Sequence, residues 1–578
     1  RFSLDGNFIV VSCMAGYHFL GLWRVSSPNV TTFGNISNYG FPIAVSASYI
    51  ACGFDNGNIE LWNFGGKFVK SLKAHHAQIY DLAISPDERH LISVAGDGTA
   101  KMWNIGTGEY LSFAGSETSE DWIMYTPDGY FDSSQKGGKL VAMVNGMSVF
   151  GVDQFAVKNN RPDIILKRIG LGTNELIRHF YSQFRRRIAR AGLSDKQSWG
   201  EYHIPKATIF HTKRDGKKLT LTFKLNDTKR KLKRYNIYVN DVPLYGSYGK
   251  DVAGSYVLKT EVIELSSGKN KIEVSCMNDA GAESFRELTF AEYKQETARD
   301  LYYIGFGVSR YKNPAISLKY AHKDAQDLSA LFAGMKGKFN NVYAKTYLNE
   351  DVTVENIQKA KDLLKNAKVD DTFVLFIAGH GVHDKDAEAD YYFLTYGADL
   401  NNLPKTAANF DLIEDLMQGI APRNKLFLMD TCESGEVEEK TQDRYYAMAG
   451  SRGLTARTTR DVKVSGKSSG APPREYLLDR DRFIYNDLVR RSGAIVFSSS
   501  RGGEFSYEKD ELQNGLFTKA VINALTQKDA DKDRNGTIST DELRDYVSAN
   551  VADVSGNLQH PTVDRDNIYQ KFGFPSVK

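Results

Sequence analysis

The chain has 578 residues, 41% hydrophobic, 25% charged and 12% aromatic, with a formal net charge of +3. So near a balance gives no global reason to expect nucleic acid or an anionic membrane as a partner, and no run approaches the roughly 18 apolar residues of a membrane-spanning helix. The length exceeds what one hydrophobic core serves, so several domains are expected.

Cys13, Cys52, Cys276 and Cys432 lie far apart, and none forms a CxxC pair suited to zinc or redox chemistry. So few in so long a chain argue against a disulfide framework and for a reducing, cytoplasmic compartment. The sequence opens on Arg1 with no visible signal peptide, so it is expected to begin inside a longer gene product.

Residues 1–118 carry an internal repeat, with Trp23, Trp62 and Trp103 closing GLW, ELW and KMW at close to the roughly 40-residue period of a propeller blade. The clearest unit, residues 74–105, has His75 near its start, then the turn SPDER, the strand-like HLISVAG and the hairpin AGDGTAKMW. It resembles a WD40 repeat, with Trp103-Asn104 in place of the usual Trp-Asp. One blade cannot bury both its faces, and closed propellers need several, so the reading is a partial β-propeller that binds a protein partner. A small irregular β-domain with coincidental tryptophans is the alternative. Residues 119–204 read as a last blade or linker with a basic helix, in which Leu176, Ile177, Phe180, Tyr181, Phe184 and Ile188 recur at helical spacing. Its Arg185-Arg186-Arg187 run reads as a solvated face, with contact to an acidic partner as the alternative.

From 205 to 295 apolar residues alternate with period two, as in KKLTLTFKL and NKIEVSCMND, which fits an immunoglobulin-like β-sandwich without evident chemistry. From 296 to 578 strands and helices alternate. TFVLFIAGHG, KLFLMDTCESGE and AIVFSSSRGGE read as strands; LKYAHKDAQDLSALFAGM, VENIQKAKDLLKNAK, FDLIEDLMQGI and GLFTKAVINAL read as helices. This predicts an α/β domain around a mostly parallel central sheet, whose ligands sit beyond the carboxyl ends of the strands.

His380 and Cys432 lie just past two such ends. A thiol is mostly protonated at neutral pH, and a neighbouring imidazolium stabilises the thiolate, so the two suit a nucleophile–base pair. An apolar strand ending in His-Gly, then a second ending in Asp-x-Cys about 50 residues later, resembles the caspase-like peptidases. Within them it is most similar to metacaspases and orthocaspases.

That resemblance implies His380 as base and Cys432 as nucleophile, with the backbone N–H groups of Gly381 and Cys432 as the oxyanion hole. It also implies a pocket for the residue before the scissile bond, with Asp430 at its floor and Asp324, in YAHKDAQDL, as a second acid. Two carboxylates in one pocket repel unless a cation arrives, so protein substrates with exposed Arg or Lys sites are expected. Glu433 departs from the pattern, where many metacaspases carry His. The polar segment between Cys432 and Ala494 sits where the family has its inter-subunit linker. Arg452, Arg457, Arg460, Lys463 and Lys467 are its candidate self-cleavage points, within residues 445–475. Such cleavage would mature a zymogen; an unprocessed flexible loop is the alternative.

DKDRNGTISTDE, residues 531–542, fits the EF-hand calcium loop. Asp531, Asp533 and Asn535 would give side-chain oxygens, Thr537 a backbone carbonyl and Glu542 a bidentate carboxylate, with Gly536 at the sharp turn and Ile538 as anchor. No second such loop accompanies it. The reading is a cysteine endopeptidase cutting after Arg or Lys, with Ca2+ as structural or regulatory cofactor. Its rivals are a silent caspase-fold scaffold acting through the WD40-like part, and a related peptidase cutting after Asp or Asn.

Overall fold

The computed structural model describes all residues except 14–17, 28, 37–39, 74, 120, 135, 171, 173, 195–202, 296, 384–390, 434–452, 458–491, 501–503, 565–571 and 577–578. The described residues divide into two units, residues 1–186 and those from 187 on.

In the first unit each repeat makes its own antiparallel sheet. Three strands lie between Phe8 and Ile36, four between Gly40 and Lys73, and six between Ile79 and Ser133. Residues 122–133 therefore add two strands to the third sheet rather than building a blade of their own. The third unit shows why its sequence pattern exists. His75 Nδ1 lies 3.0 Å from Asp97, its Nε2 lies 2.8 Å from Ser93 Oγ, and the buried Trp103 indole donates to that hydroxyl at 2.9 Å. Polar residues 28 positions apart are thus satisfied by one another inside the sheet. Trp23, in contrast, is exposed. The basic helix runs Asn174–Arg190; of its arginine run, Arg185 is exposed but Arg187 is buried, so that face is not wholly solvated.

The second unit opens with two antiparallel sheets, which share one apolar core that includes Leu221, Phe223, Ile237 and Val274. This sandwich grips one end of the α/β domain. Asp370 accepts from Ser267 N at 2.9 Å and from Thr297 Oγ1 at 2.7 Å, and pairs with Lys217 at 2.9 Å. Arg423 donates to Ser266 Oγ at 2.6 Å and to the Glu264 carbonyl.

The α/β domain is built on a sheet ordered 342–348, 301–307, 372–383, 424–433, 495–498 and 562–564, parallel except for its last pair. We call Thr372–His383 the histidine strand and Asn424–Glu433 the cysteine strand. Both faces are covered. Val374, Phe376, Leu426 and Leu428 enter one core with helices Ala321–Ala333 and Leu516–Thr526, while Phe373, Leu375, Phe427 and Met429 enter the other. Burial on both faces explains why these strands read as continuous apolar runs rather than alternating ones. Two expected helices are short: Val354–Ala360 continues as a 3-10 turn, and Phe410–Asp415 ends before the turn that buries Leu416 and Met417. Asp370 lies two residues before the histidine strand and Arg423 one before the cysteine strand, so the sandwich holds their starts and the site lies at their far ends.

Candidate active site

The histidine and cysteine strands are adjacent and parallel, and their register places His380 opposite Cys432 and Ala378 opposite Asp430. Parallel pairing without a bulge carries the two sequence-predicted residues to the same height, 52 positions apart in the chain.

His380 is fully buried. Its Nε2 lies 2.8 Å from the Ile316 carbonyl, so this nitrogen carries the proton and donates it. Nδ1 is buried and has no hydrogen-bond partner among the described residues, leaving its lone pair available. The backbone N–H of His380 donates to the Tyr311 phenol at 2.9 Å. Gly379 permits that approach: a Cβ there would lie 2.8 Å from the same oxygen, on a backbone with φ of 150°. Burial, with the Arg457 guanidinium adding to it, pushes His380 down to about 4. Burial thus favours the neutral form of this imidazole.

Next to this pair lies a closed acidic pocket. Asp324 stands in the first turn of helix Ala321–Ala333, Asp430 two residues before Cys432, and Glu508 on strand Tyr507–Lys509; all three are buried. Asp430 follows the parity of Leu426 and Leu428, so it faces the same core as Ala321 and Ala325, where Asp324 waits. The three carboxylates are themselves organised. Asp430 accepts from Ser506 Oγ at 2.8 Å and Thr518 Oγ1 at 2.6 Å. Asp324 accepts from Asn514 Nδ2 at 2.9 Å and Gly515 N at 3.1 Å. Glu508 accepts from the backbone N–H groups of Lys319 and Tyr320, each at 3.0 Å.

The pocket is filled by the chain itself. The guanidinium of Arg457, fully buried, donates to Asp324 through Nη2 and to Glu508 through Nε at 3.2 Å. Its Nη1 lies 3.0 Å from Asp430 Oδ1 and donates to the Asp430 carbonyl at 2.8 Å. A Cβ on Gly515 would stand 2.6 Å from Nη2 and 2.7 Å from Asp430 Oδ2, so glycine leaves the cation its room. Burial opposes the charge on Arg457, yet Asp430, Asp324 and Glu508 outweigh it and raise its pKa. Burial, with Asp430 and Glu508 adding to it, lifts Asp324 to about 7 against the pull of Arg457.

Of the candidate self-cleavage residues, Arg457 is thus in the pocket, while Arg452, Arg460, Lys463 and Lys467 lie outside the described residues. Sequence reasoning missed Glu508, Ser506, Gly515, Thr518 and Tyr311. Glu508 begins the run Glu508-Lys509-Asp510-Glu511, which has the composition of a solvated turn, and only tertiary strand pairing buries it.

In the C-terminal part of the sequence, carboxylate oxygens of Asp531, Asp533 and Glu542 lie within 4.8 Å of one another. Gly536 turns the loop at φ of 81°, and Ile538 is buried as its anchor. Asn535 Oδ1 accepts from Thr537 N at 2.8 Å. The loop strand Thr537–Ser539 pairs with Gly573–Pro575, Ile538 opposite Phe574. No helix among the described residues is long and apolar enough to cross a membrane.

Comparison with known proteins agrees with both halves. The caspase domain pattern matches residues 305–572, and the WD domain, G-beta repeat, matches residues 66–104. Nuclear distribution protein nudF 2 of Talaromyces marneffei is 38% identical over 60 residues, 10% of this chain and 13% of that protein. Nuclear distribution protein nudF of Aspergillus niger is 34% identical over 70 residues, 12% and 16%. The matches therefore span only a small part of these relatives. Among solved structures, a protein of Geobacter sulfurreducens covers 48% of this chain and 94% of its own at 17% identity, with a TM-score of 0.30. The WD40 repeats of RRP9 cover 23% and 46% at 18% identity and a TM-score of 0.19. Residues 305–572 are accordingly a domain of the caspase family of cysteine peptidases, carried on a chain whose N-terminal part holds WD40 repeat structure.

Proposed function

We propose that the protein is a cysteine endopeptidase of the metacaspase type that cleaves after Arg or Lys. The observation that carries this reading is the buried trio of Asp324, Asp430 and Glu508 around a guanidinium, beside the paired strand ends of His380 and Cys432. Three buried carboxylates are costly without a cation, and the fork of donors on Arg matches them better than an ammonium. Cys432 passes its proton to His380 Nδ1 and attacks the carbonyl carbon, and the N–H groups of Gly381 and Cys432 receive the developing oxyanion. His380 then returns the proton to the leaving amine, and water hydrolyses the thioester. Arg- and Lys-ended fluorogenic peptides test this against Asp- and Asn-ended ones. Cleavage confined to the Asp- and Asn-ended peptides would sink it.

The pocket sets a pH dependence. Asp324 sits at about 7 with Arg457 in place, and loss of that cation moves it no lower. A basic side chain binds the ionised trio, so protons compete with it and affinity rises as pH rises. KM for an Arg reporter should fall between about pH 6 and pH 8, and Asp324→Asn should flatten that fall. A wild-type KM constant over the same range would contradict the coupling.

Calcium belongs to the same proposal. Asp531, Asp533, Asn535, Thr537 and Glu542 offer hard oxygen ligands around a glycine turn, which suits Ca2+. A bound ion would neutralise the clustered carboxylates and stiffen the loop. EF-hand strands ordinarily pair with a second hand; here Gly573–Pro575 takes that edge, which answers the absence of a partner loop. Calorimetric titration should find a site that Glu542→Gln weakens at least about tenfold, and equal affinity of both forms would remove it from the proposal. The WD40 part fits a protein partner, and self-cleavage within residues 445–475 fits an enzyme whose linker carries its own preferred residues.

A further inference from the structure

Arg457 does not reach the acidic pocket as an isolated side chain. Leu454–Ala456 forms a strand, antiparallel to Tyr507–Lys509, with Ala456 opposite Tyr507 and Leu454 opposite Lys509. The N–H of Arg457 continues the ladder by donating to the Ser506 carbonyl at 2.9 Å. Added-strand binding is how clefts commonly hold extended peptides: main-chain bonds supply affinity and alternate side chains supply selectivity. The buried side chains are the first and the last of the four. Leu454 is 5% exposed and joins the apolar cluster that contains Phe505 and Tyr507, Thr455 faces solvent, Ala456 is half-buried, and Arg457 fills the pocket. The strand that receives this segment, Tyr507–Lys509, also carries Glu508. Backbone recognition and charge recognition therefore come from one element.

We propose that Leu454-Thr455-Ala456-Arg457 is the enzyme's own first substrate, seated in the cleft as its four residues before the scissile bond, which joins Arg457 to Thr458. This rests on the Arg/Lys reading above and adds two things to it. It selects one bond among five candidate basic residues, and it assigns preferences beyond the first position: an aliphatic residue at the fourth, a free choice at the third, and a small one at the second. In the step itself the Cys432 sulfur bonds to the Arg457 carbonyl carbon. The bond from that carbon to the Thr458 nitrogen breaks, and that nitrogen leaves with the proton held by His380. Water then adds hydroxyl to the carbonyl carbon and restores the thiol, giving a carboxylate at Arg457 and a new amino terminus at Thr458. Until that cut is made, the segment competes with any other peptide for the cleft.

The test uses the full chain and a peptide set. Fragments of the wild-type chain are sequenced from their N-termini over time, beside Arg457→Gln and Cys432→Ala forms. The expected first new terminus is Thr458, absent from both variants. In parallel, a Leu-Thr-Ala-Arg reporter should exceed Asp-Thr-Ala-Arg in kcat/KM by about tenfold or more, while Leu-Lys-Ala-Arg stays within about threefold. The reporters decide the question even if Arg457→Gln fails to fold. A first terminus elsewhere, or a wild-type chain left whole while it cleaves Arg reporters, overturns the self-substrate; so does indifference to the fourth position. If no Arg- or Lys-ended reporter is cleaved by any form, the Arg/Lys reading itself is lost.

Discussion

A His380→Ala chain should hydrolyse Arg-ended reporters at least about a thousandfold more slowly than wild type. The reason lies in how the ring is held. Nε2 is committed to the Ile316 carbonyl, so the proton cannot shift to Nδ1 without breaking a buried bond of 2.8 Å. Nδ1 is therefore kept as an acceptor, and its burial leaves no described group to satisfy it. Alanine removes the acceptor, and the thiol loses its route to thiolate. The fold also loses stability, because the Ile316 carbonyl is left without its buried donor at a cost of about 1–3 kcal/mol and the ring leaves a cavity. Tm and kcat measured together separate the two effects: a chain still folded at the assay temperature, with a lowered Tm and a far larger loss of rate, is expected. Retention of more than a tenth of wild-type kcat would remove His380 from the role of base.

Asp430→Asn should lower kcat/KM for Arg reporters at least about a hundredfold, with a much smaller change for a Gln-ended reporter of otherwise equal sequence. Asparagine keeps the volume, and its amide oxygen can still accept from Ser506 or Thr518. It supplies no negative charge, however, and its amide hydrogens face a guanidinium that has only donors. The same change should destabilise the resting chain, because Arg457 loses one of three buried carboxylates, and breaking such a pair costs about 3–5 kcal/mol. Equal losses on Arg and Gln reporters would point to a general folding defect and away from selectivity.

The legible part of this site was whatever local chemistry encodes. Apolar runs ending in His-Gly and Asp-x-Cys mark strand ends directly, because a doubly covered parallel strand must be apolar until it leaves the sheet. Asp324 was reachable through its sequence context. Glu508 was not, since a charged run between two turns carries no sign of being buried by strands from residues 454–456 and 514–515. Arg457 stood among five equivalent cations, and only the pairing of its neighbours with Tyr507–Lys509 tells it from the rest. The downward shift at His380 is hidden for a related reason: burial and the nearby guanidinium are tertiary facts that a pair of letters does not contain. In the propeller part the three tryptophans look alike in sequence, yet Trp103 is buried and Trp23 is exposed.

The seam between sandwich and α/β domain fixes where the caspase-family domain begins as a thermodynamic object. Arg423 is 1% exposed, and the partners of its guanidinium include Ser266 and the Glu264 carbonyl across the seam, while Asp370 takes Ser267, Thr297 and Lys217. A fragment starting at residue 298 would strip both groups of those partners at the very starts of the strands that end in His380 and Cys432. The two folds are therefore expected to melt as one cooperative unit, and the family boundary, which starts at residue 305, leaves the sandwich side of that unit out.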